Sequence, residues 1–389
     1  MIPYLLIILL LVFLISKYDI QSCKRGRRKW EKISIILLIL MAGLRYHIGS
    51  DTIQNEYKFE ACPDLLNILQ STTLLYSREP LWLLLMSIVK SIWDYFIFFQ
   101  LIIASIFNLL LLTFLRKTTS KTFTALLITF CVCWWNFNFE IMRESIAVVL
   151  YLFSILWLSE KKYIYYIVLS IIILFIHRFG FIIVLLTPIV IFQNRKIVFT
   201  VLFLIMFYLL LFVDKTQINI ILELLMEYSS DSASDKIGRY MESTVEGFHG
   251  INIVGMLELL IMSIILPILV ILNRKDKNDG YNKYFPILIG LYILFSIFKA
   301  YFSIAGRLNN YILIIFIVEM TNSLYNFKLN RNYKLAFQAL AFLFVFSGCY
   351  YFYKPTYFET RKNVTYDVRY IPYATIFNDT DEQRESLLR

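Results

Sequence analysis

Residues 95–115 read YFIFFQLIIASIFNLLLLTFL, and Arg116 and Lys117 follow at once. The run holds no charged side chain. As a helix it is about 30 Å long, the thickness of a bilayer's hydrocarbon core. The paired cations that close it belong at the cytoplasmic surface, where lysine and arginine accumulate in the short loops of membrane proteins. A spanning helix with a basic inner end is the unit from which the rest of the chain can be read.

Working outward, apolar runs recur near 1–16, 32–46, 122–135, 144–158, 163–176, 179–192, 197–213, 252–272, 283–301, 308–325 and 335–352. Composition agrees. Of 389 residues, 59% are apolar and 17% charged, against about 25% charged in ordinary soluble domains. The mean hydropathy is +0.66. A soluble globular enzyme, a disordered tail and a fibrous protein are excluded. Cys23, Cys62, Cys131, Cys133 and Cys349 make no paired framework and match no zinc or haem pattern.

The net charge of +10 is a topology signal. Connections 17–32, 116–121, 159–162, 193–196, 273–283 and 326–334 hold 21 of the 38 basic residues and only five acids. The positive-inside rule places them in the cytoplasm. The remainder carries 17 basic against 23 acidic residues, so nucleic-acid binding is not needed to account for the charge. Segment 45–116 must then cross an odd number of times, yet it holds two apolar runs, 81–93 and 95–115. The first, led by Pro80, is only about 21 Å long as a helix and reads as re-entrant or interfacial. The expectation is an all-α polytopic membrane protein with about 12 transmembrane helices plus that extra helix. One transmembrane domain covers 1–352, with outer loops 45–80 and 214–251, and an extracytoplasmic tail covers 353–389. The first run has no basic residue before Lys17 and no small-residue cleavage site, so it reads as a retained span.

Charge at membrane depth marks function by default, and here it gathers at the outer ends of the spans. Arg45-Tyr-His47-Ile-Gly49-Ser-Asp51 leads into Glu56-Tyr57, and Gly49 permits a turn that brings Asp51 back to the helix end. Arg78-Glu79-Pro80 precedes the short helix, where Glu79 is placed to cap it. Glu140 and Arg143 are three residues apart and share a helical face. His177-Arg178 forms an outer turn, and Gly306-Arg307 opens a span with Tyr311 one turn in. Arginine suits bidentate grip of a phosphate or diphosphate, and Arg45, Arg143, Arg178 and Arg307 converge if the spans bundle. Asp51 and His177 are the candidate bases. In the outer loops, Tyr228, Asp231, Asp235 and Tyr240 can add carbohydrate contacts. The histidines His47, His177 and His249 have no metal-ligand spacing.

The order Arg45…Ile48-Gly49-Ser50-Asp51…Tyr57, Glu79-Pro80, Arg143…Ala147, His177, Arg307…Tyr311 and Tyr370-Ile-Pro-Tyr373 resembles the EpsG-like, Wzy-type polysaccharide polymerases of bacteria. The resemblance runs over roughly 40–375. It implies a membrane-embedded glycosyltransferase of the C type (GT-C), working on the outer face of the inner membrane without cofactor or metal. Such enzymes join oligosaccharide repeat units carried on undecaprenyl diphosphate into O-antigen, capsule or exopolysaccharide. Donor and acceptor are both lipid-linked, and a flippase and a chain-length regulator of the same pathway are expected partners. Two departures stand out: Glu144 follows Arg143 in place of glutamine, and Arg178-Phe179 follow His177 in place of a small residue.

Under this reading, Arg143 and Arg307 hold the diphosphate, with Arg45 and Arg178 in support and Arg45 also ordering Asp51. Asp51 or His177 takes the acceptor proton, while Tyr57, Glu79, Glu140 and Tyr311 orient sugar. Two other classes share these residues. A flippase for the same lipid-linked oligosaccharide would line a path through the membrane with polar groups. Lys90, Lys299, Glu258 and Glu319 are the few charges at that depth. Another lipid-dependent GT-C glycosyltransferase, adding one sugar, would keep the outer cluster unchanged.

Overall fold

The structure is a computed structural model that describes residues 2–49, 51–68, 79–192, 253–273, 284–299, 305–327, 331–353, 370 and 373–377. The expected span 197–213, the outer loop 214–251 with its tyrosines and acids, and Arg78 lie outside the described residues. The described chain is helical, and its one extended pairing is an isolated bridge between Arg45 and Thr375. In chain order the helices are α1 (Ile2–Leu14), α2 (Arg27–Gly43), α3 (Thr52–Glu60), α4 (Pro80–Ile92), α5 (Phe96–Thr118), α6 (Thr122–Thr129), α7 (Met142–Ser159), α8 (Tyr163–Ile176), α9 (Gly180–Phe192), α10 (Ile253–Leu260), α11 (Leu266–Leu272), α12 (Phe285–Phe298), α13 (Ala305–Tyr325) and α14 (Arg331–Tyr353).

The deciding run becomes α5, a 23-residue helix closed by Arg116 and Lys117 in its last turn. Among the described residues, Ile2–Ile20, Phe96–Thr118, Met142–Ser159 and Tyr333–Tyr350 are long and apolar enough to cross a membrane. Their outward faces are apolar too. On α1, Ile2, Leu6 and Leu9 are 60–73% exposed, and on α14 Phe342 is 68% exposed. Apolar faces of this size suit contact with lipid.

The chain divides into two compact units, Met1–Ser154 with Ile167–Arg178 and Phe342–Arg389, and Ile155–Tyr166 with Phe179–Ala341. In the first, α2 packs along α5. Gly43 makes this possible, because a Cβ there would lie 2.8 Å from the Cα of Leu101. Small residues let helix backbones approach in this way inside membranes. In the second unit, α12 packs on α13, and α9 touches both.

Also in the first unit, a buried ionic cluster ties three helices together. Asp19 lies in a π-helical turn (Ile15–Ile20) that continues α1, and it is fully buried. Its carboxylate accepts from the Thr124 backbone N–H at 2.7 Å and hydroxyl at 2.9 Å, and from Arg27 at 3.0 Å. Arg27 and Arg116 both reach Glu31, at 3.2 and 2.8 Å. A buried carboxylate is tolerated only when it is paired and hydrogen-bonded in this way.

The apolar runs 122–135 and 144–158 leave a connection between them, but the chain stays helical further, and Glu140 and Arg143 end up on two helices rather than sharing one face. Two π-helical segments, Phe130–Trp134 and Asn136–Glu140, extend α6 to Glu140, and the break falls at Ile141 (φ −99°, ψ 47°). The cause is non-local. Asn108 of α5 donates to the Asn138 side chain at 2.9 Å and accepts from the Trp134 indole N–H at 2.7 Å. Asn138 in turn donates to the Trp134 carbonyl at 2.9 Å. With these polar groups satisfied, an Asn-rich stretch can continue a buried helix.

Candidate functional site

The five residues Glu140–Glu144, which join the π-helical extension to α7, are a hub of the first unit. Each of four partners reaches this hub from a different part of the chain.

The first partner is the loop that leaves α2. Two of its residues have positive φ, His47 (45°) and Gly49 (100°). The turn is as tight as the sequence predicts, and Gly49 is required for more than its backbone angle. A Cβ there would sit 2.8 Å from the Phe139 carbonyl oxygen. The turn presents the Asp51 backbone N–H to Glu140 Oε2 at 3.4 Å. Asp51 itself is exposed at the start of α3. His47 stacks on Tyr46 with ring centroids 3.9 Å apart, and its Nε2 lies 2.7 Å from Glu56 Oε2.

Arg45 is fully buried beneath this loop. Its guanidinium donates to the Ala42 carbonyl, to the Ile48 carbonyl at 3.4 Å and to Met142 Sδ at 3.3 Å. It also lies over the Phe139 ring, 5.0 Å from the centroid. Among the described residues it makes no ion pair with Asp51. It therefore holds the loop from below, with its charge turned to carbonyls at a helix C-terminus, where a cation is favoured.

The second partner is Glu79. It precedes α4 with Pro80 at the first helical position, as the sequence predicts, but its side chain makes no capping hydrogen bond. The carboxylate instead takes Arg143 Nη1 at 2.5 Å. The Arg143 side chain remains 36% exposed and that of Glu79 11%. Arg143 stands in the first turn of α7, so a half-open guanidinium and the positive end of a helix dipole coincide. The third partner is His177, at the end of α8. Its Nε2 lies 3.8 Å from Glu144 Oε2, and both side chains are buried, at 1% and 3% exposure. The fourth partner is the tail: the Tyr370 hydroxyl donates to Glu140 Oε1 at 2.6 Å.

The tail is tied down along the same loop. Tyr46 N–H donates to the Ala374 carbonyl at 3.1 Å and Ile376 N–H to Leu44 at 3.3 Å, flanking the Arg45–Thr375 bridge. The Tyr373 hydroxyl donates to the Met41 carbonyl at 2.6 Å. Burial pushes the Tyr373 phenol up to about 12, against the pull of Arg45. It thus stays neutral and able to donate.

Of the residues picked out in the sequence, the first unit gathers Arg45, Asp51, Glu79, Glu140, Arg143 and His177 around the hub. Tyr57 is 59% exposed on α3, and Arg178 is exposed after α8. Arg307 and Tyr311 belong to the second unit. There Arg307 lies 5.6 Å from the Phe179 ring centroid, and Tyr311 is fully buried. Sequence reasoning assigned no role to Glu144 or Tyr370. Glu144 lies in the first turn of α7, past the break at Ile141 that separates it from Glu140, and it was visible as a departure from the family pattern. Tyr370 contacts a residue 230 positions distant, which no local pattern encodes.

Apolar-faced helices around a buried cluster of arginines and carboxylates define a helical membrane protein with a preorganised ionic site. The chain belongs to the EpsG family, whose family model matches residues 32–375. Membership points to a polysaccharide polymerase. No curated protein and no solved structure gives a significant match.

Proposed function

We propose that this protein polymerises undecaprenyl-diphosphate-linked oligosaccharide repeat units on the outer face of the bacterial inner membrane, with about 12 transmembrane helices in a GT-C-like arrangement. The observation that carries the reading is the hub. Arg143 stands half-open at a helix N-terminus and is aimed by Glu79, while His177 meets Glu144 and the Asp51 turn meets Glu140 in the same five-residue hub. A pre-aimed guanidinium is suited to the charge that develops on a departing diphosphate.

In the reaction, the acceptor's sugar hydroxyl attacks the anomeric carbon of the donor chain. The bond from that carbon to the diphosphate oxygen breaks, and undecaprenyl diphosphate leaves with the electron pair. Arg143 holds the diphosphate as charge builds, with Arg307 and Arg178 in support. Arg45, sealed beneath the loop, orders Asp51. Asp51 or His177 accepts the hydroxyl proton, and Glu144 stands 3.8 Å from His177 Nε2. Tyr57, Glu79, Glu140 and Tyr311 line or stiffen the sugar path. No cofactor enters the scheme.

The test is the surface glycan profile of a bacterium lacking this protein, run beside its parent. A surviving single repeat unit without a ladder of longer chains supports the polymerase, since the unit still crosses the membrane and only joining fails. Loss of the single unit as well, with lipid-linked precursor held inside, would replace this reading with a flippase or an earlier transferase.

A further inference from the structure

The carboxylate of Glu140 is buried, with 4% of the residue exposed. Both of its oxygens are engaged by the protein. Oε1 accepts from the Tyr370 hydroxyl at 2.6 Å and Oε2 from the Asp51 backbone N–H at 3.4 Å. One carboxylate thus joins the outer loop to the tail.

Tyr370 is itself well fixed. Its carbonyl accepts from the Tyr4 hydroxyl at 2.7 Å, and its ring stacks on Phe352 at 4.5 Å between centroids. The tail beyond it pairs with the loop through Arg45–Thr375. A short hydrogen bond to an ionised carboxylate is stronger than a neutral one, and a buried carboxylate that loses a donor reorients or draws in water.

We infer that Tyr370 is a positioning residue of this site: its phenol fixes Glu140, and through Glu140 it fixes the backbone of Asp51. The inference deepens the polymerase reading and rests on it for the activity readout. It also gives the tail a definite task. Residue 370 completes the site from the far end of the chain, and Glu140 serves as the bridge between tail and loop.

The experiment uses the full-length protein in membrane vesicles with a lipid-diphosphate-linked repeat unit as substrate. Tyr370→Phe keeps the stacking ring and removes only the hydroxyl. The expected result is a fall in kcat of about tenfold, the size of one charge-assisted hydrogen bond, with KM for the lipid-linked unit unchanged. If Tyr370 acts through Glu140, adding Tyr370→Phe to Glu140→Gln lowers the rate little further, a non-additivity that a general packing defect would not produce. Amide hydrogen exchange over residues 46–52 is expected to quicken in Tyr370→Phe. Wild-type kcat, additive losses or unchanged exchange would each overturn the inference. If the parent protein itself makes no polymer, the polymerase reading fails separately, and the exchange measurement alone decides the Tyr370–Glu140–Asp51 link.

Discussion

Gly49 shows how a single residue sets the site. Its φ of +100° disfavours any side chain, and the Phe139 carbonyl occupies the place where a Cβ would stand. Gly49→Ala has to displace either the loop or the π-helical end that carries Glu140. A strained backbone of this kind costs about 1–3 kcal/mol, and the strain falls on the Asp51 turn. The expected outcome is loss of most polymer, with the protein still present in the membrane at near-normal level; the glycan ladder and an immunoblot of membranes read the two quantities. At this scale the sequence was partly legible. A glycine between Arg45 and Asp51 announces a tight turn, and the structure has it, with Gly49 at positive φ. Glu79 was misread as a cap, because capping is a local preference and its real partner is 64 residues away.

At the scale of elements, a buried ionic cluster joins helices of the first unit away from the hub residues. Asp19, Arg27, Glu31 and Arg116 link α1, α2 and α5, and Thr124 brings in α6. Removing one member of a buried ionic pair typically costs about 3–5 kcal/mol, because the remaining charge is left uncompensated. Asp19→Ala is therefore expected to lower the unfolding temperature of the detergent-solubilised protein by several degrees, while Lys17→Ala, in the same π-helical turn, leaves it near the parent value. An unchanged melting temperature for Asp19→Ala would show that the cluster is not a clamp. Helix positions were the most legible part of the chain: the run read at 163–176 is Tyr163–Ile176, and the run read at 95–115 is Phe96–Thr118. The extension of α6 through Asn136–Glu140 was not legible. Its polar residues spell a turn, and only the Asn108 amide from another helix makes them a buried π-helix.

On the scale of the whole molecule, four separate stretches of chain meet at Glu140–Glu144: the loop after α2, the start of α4, the end of α8 and the tail. Parity and loop charge give an expectation for which ends of the helices share a side. They could not anticipate that the tail returns to the loop after α2, since pairing across more than 300 residues leaves no periodic trace. The family match over 32–375 spans all four stretches.

The most direct test is to supply Arg143→Ala, at matched membrane level, to a bacterium lacking the wild-type protein and to resolve its surface glycan by length. The account predicts single repeat units and no ladder, with Arg143→Lys restoring only short, sparse chains, because a lysine supplies charge without the bidentate fork. A ladder of normal length and amount from Arg143→Ala would contradict the diphosphate role and, with it, the reading of the hub as the polymerising site.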